Sequence, residues 1–304
     1  MLLHLPGDRG RAAQDDEDKG VMKMERTLAR RVKRALTYLF VIGYSAVILF
    51  PIGLLFINSL KTGTEVYANP LALPKSPVFS NYPDAWNWPN ASIARGFINS
   101  AVVVGMAVAI IAIIAPMAGY SLSRLEFRGR KVFFYVFMAG MFVGGPAIVA
   151  MYRLMMNLGL VNTYWALILP YVAGAMPFSI LMMWTYFSAI PRAVEDSAKI
   201  DGLSTFQTYW KIMLPQAAPA LFTIVILQVI WIWNEFLLGL IMLKTPDMFT
   251  LPLMLTRFAA GTTNYLYFGV FAAGIFISIL PLVVIYAIFS DRIQRGMTMQ
   301  FVKG

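Results

Sequence analysis

The side chains of this chain that could do chemistry are few in its second half, and five of them fall together. Glu195, Asp196, Lys199, Asp201 and Lys211 lie in the stretch EDSAKIDGLSTFQTYWKIMLP, residues 195–215. One further acid, Glu235, sits in the apolar run WNEFLLGLIML, with Trp231, Trp233 and Asn234 as neighbours. None of these belongs to a familiar catalytic pattern: HExxH, GxSxG and the phosphate-cradling GxxxxGK[ST] are all absent from the sequence. The lone histidine, His4, is in a polar tail, and the absence of cysteine excludes thiolate metal sites and disulfides. An acid inside an oily segment is costly, so Glu235 is expected to face protein or water. The charged cluster at 195–211 needs a different account, because it interrupts a chain that otherwise avoids polarity.

That avoidance is quantitative. Hydrophobic residues make up 59% of the 304 and charged residues 13%, against roughly 45–50% and about 25% in a soluble domain. The composition implies an integral membrane protein. The net charge of +10 does not indicate nucleic-acid binding, because the basic residues flank hydrophobic runs and form no face interleaved with aromatics.

Six runs are long enough to cross a hydrocarbon core of about 20 apolar residues: near 35–60, 97–122, 132–156, 164–188, 218–243 and 266–289. None alternates in polarity as a barrel strand would, so an all-α membrane protein of six transmembrane helices is predicted. Gly144-Gly145-Pro146, Pro170 and Pro281 mark expected kinks or close packing. Nineteen lysines and arginines fall before the first run, at 124–131, around 192–211 and after the last run; six fall on the other side. The positive-inside rule therefore places both termini and the 195–215 stretch in the cytoplasm, membrane lipid being the immediate surround. The first run is too long for a cleavable signal, and its exit, NSLKTGTE, offers no small-x-small site. Residues 1–34 are read as a cytoplasmic tail, with disorder expected over 1–20 and a basic, interfacial helix open for MERTLARRVKRALT. Met1, Met22 and Met24 are alternative starts. The six-span core is 35–290 and a cytoplasmic tail is 291–304. The loop at about 61–95, rich in Pro, Asn and aromatics, is expected to form a small cap outside the membrane.

The charged stretch itself reads as two short helices about a glycine. Ala193, Val194, Ser197, Ala198 and Ile200 are expected toward one face of the first. Gly202 suits a left-handed helix terminator, and Ser204 with Gln207 matches a capping box. Phe206, Tyr209, Trp210 and Met213 form an apolar stripe on the second helix; Pro215 ends it and Pro219 opens the next span. Such a stripe either packs against the protein's own helices or docks into a partner.

The order Asp196-Ser197-Ala198, Asp201-Gly202, then Leu214-Pro215 resembles the EAA loop of binding-protein-dependent ABC-importer permeases. It departs from the pattern in having Asp196 for glutamate and Ser197 for alanine, with Glu195 adjacent as the longer acid. LGLVNTYWALILPY, PFSILMMWTYF, WNEFLLGLIML and the closing RGMTMQFVKG resemble the carbohydrate-importing, MalG-like branch. The resemblance implies a type I ABC-importer permease fold whose loop at about 191–216 carries a coupling helix inserted into a separate ATPase. On that analogy Glu195 or Asp196 meets a basic residue of the ATPase, and Ser197 and Ala198 permit close approach. Gly202 sets the angle between the helices, and Phe206 and Tyr209 add packing. The residues from Gln300 to Gly304 could also reach the ATPase.

The implied partners are a second permease subunit, two ABC ATPase subunits that bind Mg-ATP, and an extracytoplasmic substrate-binding protein. The chain itself is expected to hold no cofactor and to be no enzyme. Its implied cargo is a sugar or oligosaccharide, acidic sugars included, carried across the bacterial cytoplasmic membrane. Glu235 either binds sugar hydroxyls beside a stacking indole (Trp231 or Trp233) or forms a structural hydrogen bond between helices. Asn234 and Tyr152 are further candidates for the pathway. The competing readings are an ion-coupled secondary transporter, for which one buried acid is thin support, and an ABC permease for another solute.

Overall fold

In lipid a backbone must satisfy its own N–H and C=O groups, so long apolar runs coil into helices. In the computed structural model, which describes residues 8–89, 91–142 and 148–298, every regular element among the described residues is helical. Side chains are described for residues 31, 33–89, 91–142 and 148–289.

The chain divides into two compact units, Met1–Leu55 and Phe56–Gly304. The first is carried by helix α1 (Asp8–Ser59), whose last turn belongs to the second unit. Helix begins at Asp8, so the disorder expected over residues 1–20 is corrected from that point; residues 1–7 lie outside the described residues. The run is rich in Ala, Arg, Lys, Glu and Met, all strong helix formers, and carries no proline before Pro51. From Leu36 to Phe50 its large apolar side chains are exposed, as lipid contact requires.

The second unit contains, in order, α2 (Gly63–Ala68), α3 (Asn81–Trp86), α4 (Ile93–Arg124), α5 (Arg130–Phe142), α6 (Ile148–Asn157), α7 (Trp165–Ala189), α8 (Arg192–Ile200), α9 (Thr205–Thr208), a π turn (Tyr209–Met213), α10 (Leu214–Gln216), α11 (Ala218–Asn234), α12 (Leu237–Met242), α13 (Leu251–Gly261) and α14 (Phe268–Thr298). Four stretches among the described residues are long and apolar enough to cross a membrane: Lys33–Ser59, Ile93–Arg124, Trp165–Ala189 and Tyr265–Phe289. Thr205–Gln216 with Ala218–Asn234, bent by 71°, supplies a fifth if taken as one span. The third expected crossing coincides with α5 and α6, and residues 143–147 between them, including Gly144-Gly145-Pro146, lie outside the described residues. The fifth expected crossing, 218–243, is not one helix. It stops at Asn234 and restarts at Leu237, with Glu235 extended between them at φ −70° and ψ 129°.

The core centres on α4 against α7. Ile111, Ala115, Leu167, Ile180 and Met183 are fully buried there. Small residues let the two backbones approach, as membrane helices need when no solvent drives them together. A Cβ at Gly119 would lie 2.6 Å from the Met183 Cβ and 2.9 Å from the Trp184 backbone nitrogen.

Near its start α4 is tied to the chain beyond α12. The Asn99 side chain donates to the carbonyls of Asp247 and Phe249, each at 2.8 Å, and accepts from the Tyr164 hydroxyl at 2.8 Å. The Ser100 hydroxyl accepts from the Leu251 N–H at 2.8 Å. The expected outer cap is two short helices, α2 and α3, packed against α14. There Lys61 is fully buried, its ammonium donating to the Asn58 side chain and to the carbonyls of Asn69 and Pro70.

Gly119→Ala is expected to lower the melting temperature of the detergent-solubilised protein, since overpacking costs about 1–3 kcal/mol. Gly105→Ala on the same helix, where an added Cβ meets nothing within 4 Å, is the control and should not lower it. Thermal scans of the two variants check this.

Candidate functional site

The stretch that interrupts the apolar sequence folds as a tight elbow between α7 and α11. Helix α8 ends where Gly202 takes φ +78°. The Leu203 N–H then reaches the Ala198 carbonyl and the Gly202 N–H reaches Lys199, each at 3.0 Å. This is the paired closure that a left-handed glycine permits. Two residues later the capping box forms: the Gln207 N–H donates to the Ser204 hydroxyl, and the Ser204 N–H to the Gln207 side chain at 3.0 Å. Beyond Thr208 the helix widens into a π turn before Pro215, which has no N–H to continue a regular ladder. It continues to Gln216, one residue past the expected stop, and Pro219 opens α11 as expected.

One guanidinium fixes this elbow to the helices. Arg124, the last residue of α4, donates through one terminal nitrogen to the carbonyls of Phe187 and Ile190, where α7 ends. Its other terminal nitrogen lies 3.6 Å from the Glu195 carboxylate on α8, and only 6% and 12% of the two side chains are exposed. The Tyr120 hydroxyl donates to the same carboxylate at 3.0 Å. Beside this pair, the rings of Tyr120, Phe187 and Tyr209 form a triangle, with centroids 5.2 to 6.4 Å apart. Six residues after Arg124, Arg130 donates to the Leu122 and Ser123 carbonyls at 2.7 and 3.0 Å. Those carbonyls belong to the last turn of α4 and are therefore satisfied rather than orphaned.

The fate of each expected site residue follows from this anchoring. Glu195, expected as one of two acids facing a partner, points inward and is spent on Arg124 and Tyr120. Ala198 is buried with it, so the inward face is Val194, Glu195 and Ala198. Ile200, expected on that same face, is instead 86% exposed. The outward face carries Asp196, Ser197, Lys199 and Ile200, with Asp196 and Lys199 3.5 Å apart. Asp201, Gly202 and Pro215 are exposed and Leu214 is half-buried. The aromatic stripe divides: Tyr209 and Met213 enter the core, whereas Phe206 and Trp210 stay exposed with rings 6.1 Å apart. Phe206 and Thr205 border a largely apolar groove of about 240 Å³ against Met117, Ser121 and Leu125 of the α4 end. The Gln300 to Gly304 tail lies outside the described residues.

The second group of candidates gathers only in part, with Glu235 and Trp231 both meeting Tyr171. Glu235 accepts from the Tyr171 hydroxyl at 2.6 Å and from the Leu238 N–H at 2.9 Å, so it joins α7 to the break and caps α12. The bond to Tyr171 runs between helices, from a break in the span rather than from within a helix. Trp231, half exposed, meets the Tyr171 ring at 5.8 Å. Trp233 is buried against Phe97 at 5.3 Å, and Asn234 is exposed and bonded to its own helix at Ile230. Tyr152 is half-buried on α6 under the Lys244 ammonium, 5.2 Å from the ring centroid. Sequence reasoning missed Arg124 and Tyr120. The available signal was Arg124 as the first basic residue after a span, a position it credited only to orientation.

Breaking a buried ion pair from one side leaves a charge uncompensated, at a cost of about 3–5 kcal/mol. Arg124→Ala should therefore destabilise the protein far more than removing Glu195 from an Arg124→Ala background. The cycle Arg124→Ala, Glu195→Ala and the double variant, followed by thermal unfolding, is expected to be non-additive by about 1–3 kcal/mol.

Similarity to known proteins agrees with this architecture. Residues 90–299 match the family described as the binding-protein-dependent transport system inner membrane component. The chain is 31% identical over 279 residues to the diacetylchitobiose uptake system permease protein NgcG of Streptomyces coelicolor, covering 91% of this chain and 92% of that one. It is also 31% identical to the trehalose/maltose transport system permease protein MalG of Thermococcus litoralis, covering 90% and 98%. Among solved structures, a chain of a bacterial ABC transporter that imports the acidic polysaccharide alginate superposes with a TM-score of 0.76 at 25% identity, covering 86% and 96%. On the extent of these matches, the chain belongs to the binding-protein-dependent transport system inner membrane components, a family of multi-pass membrane proteins.

Proposed function

We propose that this chain is the permease subunit of an ATP-driven importer that moves a sugar or oligosaccharide inward, with the α8 elbow as its coupling element. The observation that carries the reading is the division of α8 into two faces. Glu195 and Ala198 are fixed inward, while Asp196, Ser197, Lys199 and Ile200 stand outward on a helix that cannot swing away from α4 and α7. An element so held can receive a push at its outer face and pass it to the spans.

On this reading six spans occupy residues 35–290, both termini are cytoplasmic, and the tails are 1–34 and 291–304. The excess of basic residues on the elbow's side of the sequence supports that orientation. The chain works with a second permease subunit and an extracytoplasmic binding protein that delivers the solute. Two ATPase subunits bind Mg-ATP and supply hydrolysis, because no phosphate-binding loop occurs in this sequence. ATP binding by the partner must favour one arrangement of the spans over the other, since only a differential interaction shifts such an equilibrium. The sugar-uptake names of the two relatives and the alginate importer support the cargo class.

Ile200→Glu and Asp196→Lys, both on the outward face, are expected to reduce co-purification of the ATPase subunits by roughly tenfold, about 1.4 kcal/mol. The amount of membrane-inserted chain should not change. Undiminished ATPase recovery and uptake by the double variant would remove the coupling role.

A further inference from the structure

The helix pair next to the elbow leaves a cavity that neither the spans nor the coupling element uses. It has a volume of about 320 Å³ and is lined by Leu122 at the end of α4, by Arg130, Lys131, Phe134 and Tyr135 at the start of α5, and by Trp184 of α7. Its chemistry is divided. Leu122, Phe134 and Trp184 make an apolar floor, with the last two rings 4.8 Å apart. Arg130 and Lys131 stand at the start of α5, and Tyr135 is 66% exposed beside them. The Arg130 guanidinium uses its Nε and one terminal nitrogen on α4 carbonyls, which holds its position, and it makes no ion pair among the described residues. Lys131 is exposed and has no acidic partner among the described residues.

From the first turn of α5 onward, the exposed surface is apolar: Val132, Phe133, Tyr135 and Val136 are each more than half exposed. A soluble ligand gains nothing from that continuation. A molecule with one anionic head and a hydrocarbon tail matches both parts, with paired cations for the head and an apolar ridge for the tail. Aromatic rings at the junction belong at headgroup depth. We infer that the α4–α5–α7 cavity binds the phosphate headgroup of an anionic phospholipid in the cytoplasmic leaflet. The assignment to that leaflet rests on the permease orientation proposed above. A lipid seated here touches Leu122 and, through Arg130, the last turn of α4, two residues from the Arg124 anchor. Its binding would therefore stiffen the junction that holds the elbow.

The test uses the assembled importer in nanodiscs with phosphatidylglycerol and phosphatidylcholine of equal chain length, with retained lipid read by native mass spectrometry. The intact complex should retain phosphatidylglycerol selectively. Lys131→Gln should reduce that retention by about fivefold, the weight of one basic side chain at an anionic surface. Arg128→Gln, an exposed basic residue nearby that does not line the cavity, should retain it as the parent does. Equal loss in both variants would mean diffuse surface charge and overturn the site. So would a cysteine at Tyr135 that cross-links to the second permease subunit, since the face would then be a subunit interface. Normal uptake with no lipid selectivity in the parent would overturn the lipid site while leaving the permease reading intact.

Discussion

The elbow exists as a fixed element because Arg124 can satisfy its charge only where three pieces of chain meet. Its guanidinium has lost nearly all contact with solvent, and a cation so placed is costly unless acceptors surround it. The acceptors come from the end of α7 and from Glu195 on α8. None of the three can leave without exposing an unpaired buried charge or carbonyl. Charge-assisted bonds of this kind are about twice as strong as neutral ones and fix direction as well as distance. The aromatic triangle beside it adds packing in the same place. The elbow's inner face is therefore specified by chemistry internal to the chain, and its outer face is left to others.

The same helix that ends in Arg124 begins beside Asn99, and the two lie about 38 Å apart at 1.5 Å per residue. Asn99 binds the chain at 247–249, and Arg124 binds the elbow at 190–195. Between them the α4–α7 contact is close enough that Gly119 admits no side chain without displacement. On the proposed function, a rod with polar anchors at both ends and a tight seam along its length is the element that passes motion from the elbow to the spans. The break at Glu235 does the opposite in α11. It interrupts a span, and its carboxylate ties the start of α12 to α7 through the Leu238 N–H and the Tyr171 hydroxyl, so the break is a defined joint.

Much of this was legible in the sequence because local rules were consistent. Gly202, the Ser204–Gln207 capping box and Pro219 each dictate a backbone state without help from distant residues, and each is found where expected. The direction of side chains was not legible in the same way. Glu195 and Asp196 are adjacent acids, and only the position of Arg124, some seventy residues away, decides which faces inward. The stripe Phe206, Tyr209, Trp210, Met213 reads as one surface, but only Tyr209 and Met213 are buried, while Phe206 and Trp210 remain exposed, the Trp210 ring meeting those of Phe206 and Tyr209. Helical spacing groups Ile200 with Val194 and Ala198, yet at the last position of α8 it stands exposed. The helix break at Glu235 was hidden because the apolar run continues through it unchanged.

The account requires that the elbow and α4 move as one body while the importer cycles. The chain contains no cysteine, so a pair of spin labels can be placed at the exposed Lys211 of the elbow and at Ile113 on α4 without altering other positions. Pulsed EPR distances between them, compared in nucleotide-free and ATP-bound complexes, test the claim most directly. A single narrow distance, unchanged by nucleotide while the elbow shifts relative to the ATPase, is the predicted result. A distance that changes or broadens on ATP binding would mean that the elbow flexes independently, and the Arg124 anchor would then transmit nothing.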